Sequence, residues 1–527
     1  MKPGIASFQR IRFVARRFLL ALTLLSVLLL ATGCAQGAAF ANPPVLTEAT
    51  NTPLGTPQVF VRTSPPTVLP GTPVAVETPT TIATPKPPIL YYTQPNETLP
   101  VVALRFGVPP ETIGSPDRTL PETAFLPQDI LLMIPDVLGE TGPEELLLPD
   151  SEIIYSPSAV DFDVRSYVAQ TSGYLLSYTQ PMEDGTYDAA RVIQRVAIEN
   201  SCNPRLLIAL LEYQSGWVTG QPKSIAEADY PLGYLSLDYK GLYKQLSWAC
   251  QQLSIGYYGW RDGSVLEVTT RDGQRVRLSP RLNAGTAALS YYFARLYDQP
   301  RWAQALYSSE NFLTLYSRMF GDPWVRAQMV EPLFPPFIVQ PELQLPFPPG
   351  QTWALTGGPH AVWSANSVIG AIDLAPNEDQ RGCYTTEKWV TAVAPGRVVR
   401  TGPGLVVVDL DGDGYEQTGW VIVYMHIATR DKLSVGDWVD QDGKIGHPSC
   451  EGGRATGTHV HVARKYNGEW IPTAGPLPFV LSGWTVHNGA KPYEGTMTRD
   501  GQVAEASVYG DYRTLVTRPA ATPAAGQ

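Results

Sequence analysis

Only six histidines occur in the 527 residues, at 360, 426, 447, 459, 461 and 487, and five of them fall between positions 360 and 461. Two stand as Gly-Thr-His459-Val-His461. On an extended strand residues i and i+2 share a face, so both imidazoles can reach one cavity. Neutral imidazole is a good zinc ligand. His360 closes a Gly-Gly-Pro-His run. Asp373 lies in Gly-Ala-Ile-Asp-Leu-Ala-Pro, an apolar setting in which an unpartnered carboxylate is costly to bury. His426 ends the apolar run Val-Ile-Val-Tyr-Met-His. Zinc hydrolases hold the metal with three N or O ligands and leave a fourth position for water. A carboxylate and four imidazoles therefore point to metal-assisted hydrolysis. His447 and His487 read as surface or loop histidines.

A second acidic set is Asp409-Leu-Asp411-Gly-Asp413-Gly414, spaced like the first half of a calcium loop. The closing glutamate expected at position 420 is Trp420, and Asp-Gly pairs between apolar strands are also ordinary hairpin turns. Calcium at Asp409, Asp411 and Asp413 is the lesser reading.

The histidines need strands to position them. Short apolar runs (WVTAVAPGRVVRTG, LVVVDL, WVIVYMHI) alternate with Gly, Asp and Pro turns, which predicts an all-β domain over 345–490. Across about 110 residues the series GGPH, IDLAP, APGRVV, VYMHI, VGDWV, GKIG and GTHVH resembles the LytM/lysostaphin group of zinc endopeptidases, which cut peptide cross-links of peptidoglycan. In most of that group the first histidine stands four residues before the aspartate, a position held here by Ile369. In the LasA branch it stands further upstream after a Gly-Gly turn, which suits His360. The resemblance implies His360, Asp373 and His461 as ligands of one zinc ion. It makes His426 and His459 the catalytic histidines that orient water and stabilise the oxyanion. The alternative is a non-catalytic peptidoglycan-binding scaffold that activates or localises other wall hydrolases.

Upstream, residues 161–338 read as mainly helical. Residues 189–217 carry two helical blocks broken at Asn203-Pro204, with Pro204 suited to a first helical turn, and 282–297 form another helix. NPRLLIALLEYQSGW resembles the start of a lysozyme-like transglycosylase domain, but Gln214 occupies the position of the catalytic glutamate. An amide cannot protonate a leaving glycosidic oxygen, and Glu212 lies roughly 200° around the helix. A non-catalytic domain is expected. Residues 89–136 read as strand, helix over Leu99–Phe106, second helix from Pro109, and strand at Ile130–Ile134. With ETL, RFGV and LPQDILLMIP at these spacings they resemble a LysM module, an α+β unit of βααβ order, which implies binding to the glycan of peptidoglycan. Residues 137–160 read as a connector.

Composition sets the frame: a multidomain chain, too long for one core. Arg16-Arg17, the apolar run 18–30 and Ala-Thr-Gly-Cys34 describe an export signal (1–33). The run is shorter than the roughly 20 residues of a membrane span, and it resembles a lipoprotein signal with Cys34 lipidated. The chain is expected at the outer face of the bacterial membrane or envelope, held by lipid on a Pro/Thr-rich stalk (34–88). The signal carries five of the 39 basic residues, which leaves 34 against 49 acidic ones, a net charge of −15. That charge sets nucleic acid aside as a partner. Export favours disulfides, and the economical pairing is Cys202–Cys250 and Cys383–Cys450. Residues 491–527 read as a C-terminal segment with a disordered tail, and the protein as a monomer.

Overall fold

The computed structural model describes residues 86–364 and 367–520. The export signal, Cys34, and all but the last residues of the stalk lie outside the described residues. Strand β1 (Ile89–Tyr92) pairs antiparallel with β2 (Leu131–Ile134), and α1 (Leu99–Phe106) packs between them in sequence. Gly107, at φ 70°, ends α1 in the left-handed conformation open to glycine. The second helix expected from Pro109 is only a single 3₁₀ turn, Pro110–Thr112, and the chain is already extended at Ile113. Beneath α1, buried Arg105 pairs with buried Glu97 and reaches on to the carbonyl of Trp260 at 3.0 Å. This ties the small module to the helical region.

That region contains α2 (Val164–Ala169), α3 (Ala189–Asn200), α4 (Pro204–Ser215), α5 (Leu242–Asp262), α6 (Ala284–Leu296) and α7 (Phe312–Phe320). The break at Asn203-Pro204 falls as expected: the Asn203 side chain caps Arg205 N, and Pro204 occupies the first turn. Helices α5 and α6 touch where a Cβ on Gly256 would lie 2.8 Å from Ala288 Cα. The segment 137–160 is no free connector. Leu147, Leu148, Ile153, Ile154 and Tyr155 are buried in the helical core. Glu212 accepts from Val218 N and Thr219 N at 2.8 and 3.1 Å, so its carboxylate closes the turn after α4. Gln214 accepts from Tyr297 Oη at 2.7 Å.

Among the described residues nine strands build the main sheet of the last region. They are β3 (Thr352–Ala361), β4 (Ile369–Pro376), β5 (Gly396–Gly402), β6 (Gly404–Asp409), β7 (Trp420–Ile427), β8 (Trp438–Val439), β9 (Val460–Tyr466), β10 (Glu469–Trp470) and, near the chain end, Leu515–Thr517. The order is β8-β5-β6-β7-β9-β4-β3 and then the last strand, with β10 beside β9. A second sheet orders β11 (Val480–Leu481), β12 (Trp484–Asn488), β13 (Gly495–Arg499) and β14 (Gln502–Glu505). The all-β expectation holds, but the boundary at 490 does not. Residues 495–505 and 515–517 are strands, and Arg518 is buried, donating to the carbonyls of Leu345 and Phe347 at 3.1 and 2.7 Å. Residues 521–527 lie outside the described residues.

Strand alternation divides the main sheet's side chains. Val406, Ile422, Tyr424, Val460 and Val462 join one core with Trp353 and Trp484. Leu405, Val407, Val421, Val423 and Ala463 join the core of the helical region. The junction is also polar. Tyr258 Oη accepts from Trp470 N at 2.9 Å, Asn467 Nδ2 donates to Leu333 O at 2.7 Å, and Arg261 pairs with Glu469 at 2.8 Å.

The cysteines divide too. Cys383 and Cys450 form the expected disulfide. Cys202 and Cys250 do not: they are two buried free thiols in hydrogen-bond contact, with burial pushing the Cys250 thiol far up. Cys202 lies in the link between α3 and α4, bridged to Ile154, and faces Cys250 on α5 as an unbonded neighbour.

Burial, opposed by Arg261 and reinforced by Asp150, pushes the Glu469 carboxyl from its ordinary 4.5 up to about 7, and burial and Asp150 do the same to Glu331. A raised carboxyl binds its proton more tightly in the folded state. Its stabilising contribution is therefore full below pH 4.5 and is lost as pH rises through 7. Thermal unfolding of the full chain from pH 5 to 8 should show stability falling more steeply than in the Glu331→Gln/Glu469→Gln double variant, and equal slopes would contradict it.

Candidate metal centre

One row crosses the main sheet: Gly357 on β3 pairs with Asp373 on β4, which pairs with His461 on β9, which pairs with Met425 on β7. Register thus places the carboxylate and one imidazole side by side. His360 does not share that register. Bulges between Leu355 and His360 shift β3, and the bulged strand aims the His360 ring at the same point. His360 Nε2, His461 Nδ1 and Asp373 Oδ1 lie 3.0, 3.2 and 3.3 Å apart. Tetrahedral zinc with ligands at roughly 2.0–2.1 Å needs edges of about 3.3 Å.

The protons of the imidazoles are fixed from behind. His360 Nδ1 lies 2.8 Å from Gly358 O, and His461 Nε2 lies 3.2 Å from Val362 O. A carbonyl only accepts, so these nitrogens carry the hydrogens and their partners present lone pairs to each other. Asp373 Oδ1 is buried and accepts no well-directed hydrogen bond. Converging lone pairs beside an orphaned carboxylate oxygen fit a cation. The carboxyl is held well below its usual range: burial opposes ionisation, but His360 and then His459 overcome it. Burial works against charge on His360 as well, and Asp373 reverses the balance and raises it; on His461 burial wins and lowers it.

The two other histidines stand beside this trio. His459 Nδ1 faces Gly457 O at 2.7 Å, and its Nε2 lies 3.6 Å from Asp373 Oδ1. His426 Nδ1 faces Glu451 O at 2.9 Å, and its ring is 4.4 Å from that of His459. His426 sits at φ 61° where Gly404 and Leu405 pair with Ile427 and Met425, so it is the unpaired residue of a bulge. A left-handed non-glycine costs about 1–2 kcal/mol, and it turns the ring onto the face of the metal ligands. Burial, helped by His459, lowers His426 to about 4, so it is neutral at neutral pH. The disulfide joins the segments carrying these supports: Ser449 N donates to His426 O at 2.7 Å, and Thr458 N donates to Gly382 O at 2.9 Å.

All five expected site residues thus meet. His447, read as a surface or loop histidine, lies in a loop but is buried, with its ring 4.0 Å from Trp389 and Nδ1 2.8 Å from Lys388 O. His487 is exposed on β12. Asp409, Asp411 and Asp413 bring oxygens within 4.8 Å of one another, and each accepts backbone amides of the β6–β7 turn, as a tight hairpin needs. Burial and the neighbouring carboxylates push Asp409 up to about 7. One further residue belongs to the site. Tyr493 stacks on His360 with ring centroids 4.2 Å apart and donates its backbone N–H to Pro359 O at 2.9 Å. Sequence reasoning placed it beyond the peptidase boundary, and no spacing rule marks a lone tyrosine.

Residues 146–333 match the family model described as LasA, N-terminal domain. That range covers most of the helical region read above as lysozyme-like. The chain is 26% identical to Protease LasA of Pseudomonas aeruginosa over 372 residues, 64% of this chain and 79% of the relative. It is 26% identical to the beta-lytic metalloendopeptidase of Achromobacter lyticus over 164 residues, 30% of this chain and 41% of the relative. A solved structure described as the M23 metalloprotease pseudoalterin from the deep sea aligns with 32% of this chain and 96% of its own, at 22% identity and a TM-score of 0.27. The chain is similar to LasA-like metallopeptidases, and the two named proteases together with the His-Asp-His cluster support a zinc metalloendopeptidase. No helix among the described residues is long and apolar enough to cross a membrane.

Elemental analysis of the full chain should find one zinc per molecule, lost in His461→Ala. A Cβ on Gly357 would lie 2.4 Å from Asp373 Oδ2, so Gly357→Ala should weaken zinc binding with the fold retained. Unchanged zinc affinity in Gly357→Ala would show that the carboxylate is not held where the row of paired residues puts it.

Proposed function

We propose that this chain hydrolyses peptide bonds in the stems or cross-bridges of peptidoglycan, with water activated at a zinc ion held by His360, Asp373 and His461. The observation that carries the reading is the convergence of three lone-pair donors at zinc-like spacing, the two imidazoles among them fixed from behind by backbone carbonyls. The metal, when bound, supplies a Lewis acid and a water whose pKa falls toward 7. His426, which burial keeps neutral, and His459 each keep one nitrogen on a backbone carbonyl and have the other available to the site. They take the proton of the attacking water and return it to the leaving amine. Tyr493, stacked on His360 at the rim of the site, holds a hydroxyl that burial and Asp373 keep protonated. It is placed to donate to the oxyanion.

The other modules suit a wall-directed enzyme. The β1–α1–β2 unit offers a glycan-binding module, and the helical region carries no general acid in the position of Gln214. Export and lipid attachment at Cys34 would place the enzyme outside the membrane.

With purified peptidoglycan and the zinc-loaded full chain, new peptide ends should appear. His426→Ala and His459→Ala should each lower the rate about a hundredfold to ten-thousandfold while zinc content stays at one. Bound zinc with no cleavage of any peptidoglycan would refute the reading in favour of a scaffold. Separately, Tyr493→Phe should lower kcat about a hundredfold with KM little changed, and full activity in that variant would remove the tyrosine from the mechanism.

A further inference from the structure

Beside the metal centre a cleft of about 1220 Å³ opens between the main sheet and the helical region. That exceeds the ~300–1,000 Å³ of ordinary small-ligand sites. One end belongs to the catalytic machinery. Met425 precedes His426, a Cβ on Gly453 would lie 3.6 Å from His426 Cε1, and Trp363 follows the carbonyl that holds His461. The far wall is α3 and the residues leading into it, with Tyr187, Arg191 and Arg195.

The charges on that wall are not equivalent. Arg195 is occupied by Glu199 at 2.9 Å and Asp184 at 3.4 Å. Arg165 faces Asp188 at 3.4 Å. Arg400, across the cleft, is buried against Glu416 in a two-pronged pair. Arg191 is exposed, and among the described residues it forms no ion pair within 4.0 Å. Its guanidinium lies 3.5 Å from the centre of the Tyr187 ring, and that ring is buried and tied through its hydroxyl to Asp184 at 2.6 Å. A guanidinium held over a fixed aromatic ring and outside any close ion pair, with Asp184 near enough to feel its charge, still has a planar fork of donors to offer, which is the geometry that takes a carboxylate in two hydrogen bonds.

We propose that this cleft continues the substrate site, that the helical region is its far wall, and that Arg191 on Tyr187 binds a carboxylate of the peptide being cut. The proposal rests on the metallopeptidase reading for the identity of the ligand as a peptide. It makes the helical region a determinant of specificity: a peptide reaching from the metal across Met425 meets α3 before it meets solvent, and peptides carrying a free carboxylate are held there.

The test uses the zinc-loaded full chain and a fluorescent peptidoglycan stem pentapeptide, either with free carboxylates or with those carboxylates amidated. Arg191→Ala should weaken binding of the free-acid peptide about tenfold and leave the amidated peptide unaffected. Arg191→Lys should recover part of the loss. In turnover the Arg191→Ala effect should fall on KM, with kcat unchanged. Three results would overturn the proposal: equal affinity in wild type and Arg191→Ala, no binding of either peptide by wild type, or faster cleavage in Arg191→Ala, which would mean that α3 obstructs the cleft. Wild-type protein that binds the free-acid peptide without cutting it would count against the peptidase reading alone, since the binding comparison still decides the role of Arg191.

Discussion

Four imidazoles at the centre of this protein each spend one nitrogen on a backbone carbonyl, those of Gly358, Val362, Glu451 and Gly457. That choice fixes the tautomer and the plane of every ring, and it leaves four lone pairs and one buried carboxylate oxygen facing inward. Such an assembly is unfavourable by itself, because lone pairs at 3.0–3.3 Å repel. The surrounding structure exists to hold it. Strand register sets Asp373 and His461, bulges set His360 and His426, and the disulfide ties down the segments that support His426 and His459. A cation converts the repulsion into coordination.

The sheet that carries this centre packs on both faces among the described residues, with the cleft beside the metal left open. One side packs on the second sheet through Trp353 and Trp484, and the other packs on the helical region through Val407, Val421, Val423 and Ala463. The alternation of β9 makes the second contact unavoidable: Ala463 points the way His461 points. The helices therefore lie on the catalytic side, and the polar ties at Glu469, Trp470 and Asn467 hold them there. A buried arginine between carboxylates, Arg261 with Glu469 and Asp150, makes that seam sensitive to proton concentration.

Much of this was legible in the sequence, for reasons that are local. The Gly-Thr-His-Val-His alternation is a backbone property, so the shared face of His459 and His461 follows from spacing alone. The helix break at Asn203-Pro204 and the helix Leu99–Phe106 follow from capping chemistry and periodicity. What was not legible depended on partners distant in the chain. Tyr493 reaches His360 because β12 and β13 fold back on the main sheet, and the last strand joins the edge at β3. No local pattern announces either, and Pro/Gly/Asp-rich stretches between short strands read as a tail. The pairing of Cys202 with Cys250 was inferred from even numbers and shared region. Their adjacency is real, yet Cys202 in the link between α3 and α4 and Cys250 on α5 stand as buried thiols. His447 was read as a surface or loop residue, and it lies in a loop but buried, because nothing in its neighbourhood reveals the Trp389 ring that covers it.

The apolar seam between helices and sheet also determines how the molecule can be divided. Cutting the chain near residue 340 would strip cover from a stripe of valines and alanine running beside the metal, and from the buried Glu469 and Trp470. An excised peptidase would present that stripe to water and to its own copies. Exposed apolar strand faces of this kind drive self-association. The boundary drawn by sequence resemblance is therefore not a boundary of solubility, and the two regions are one folding problem.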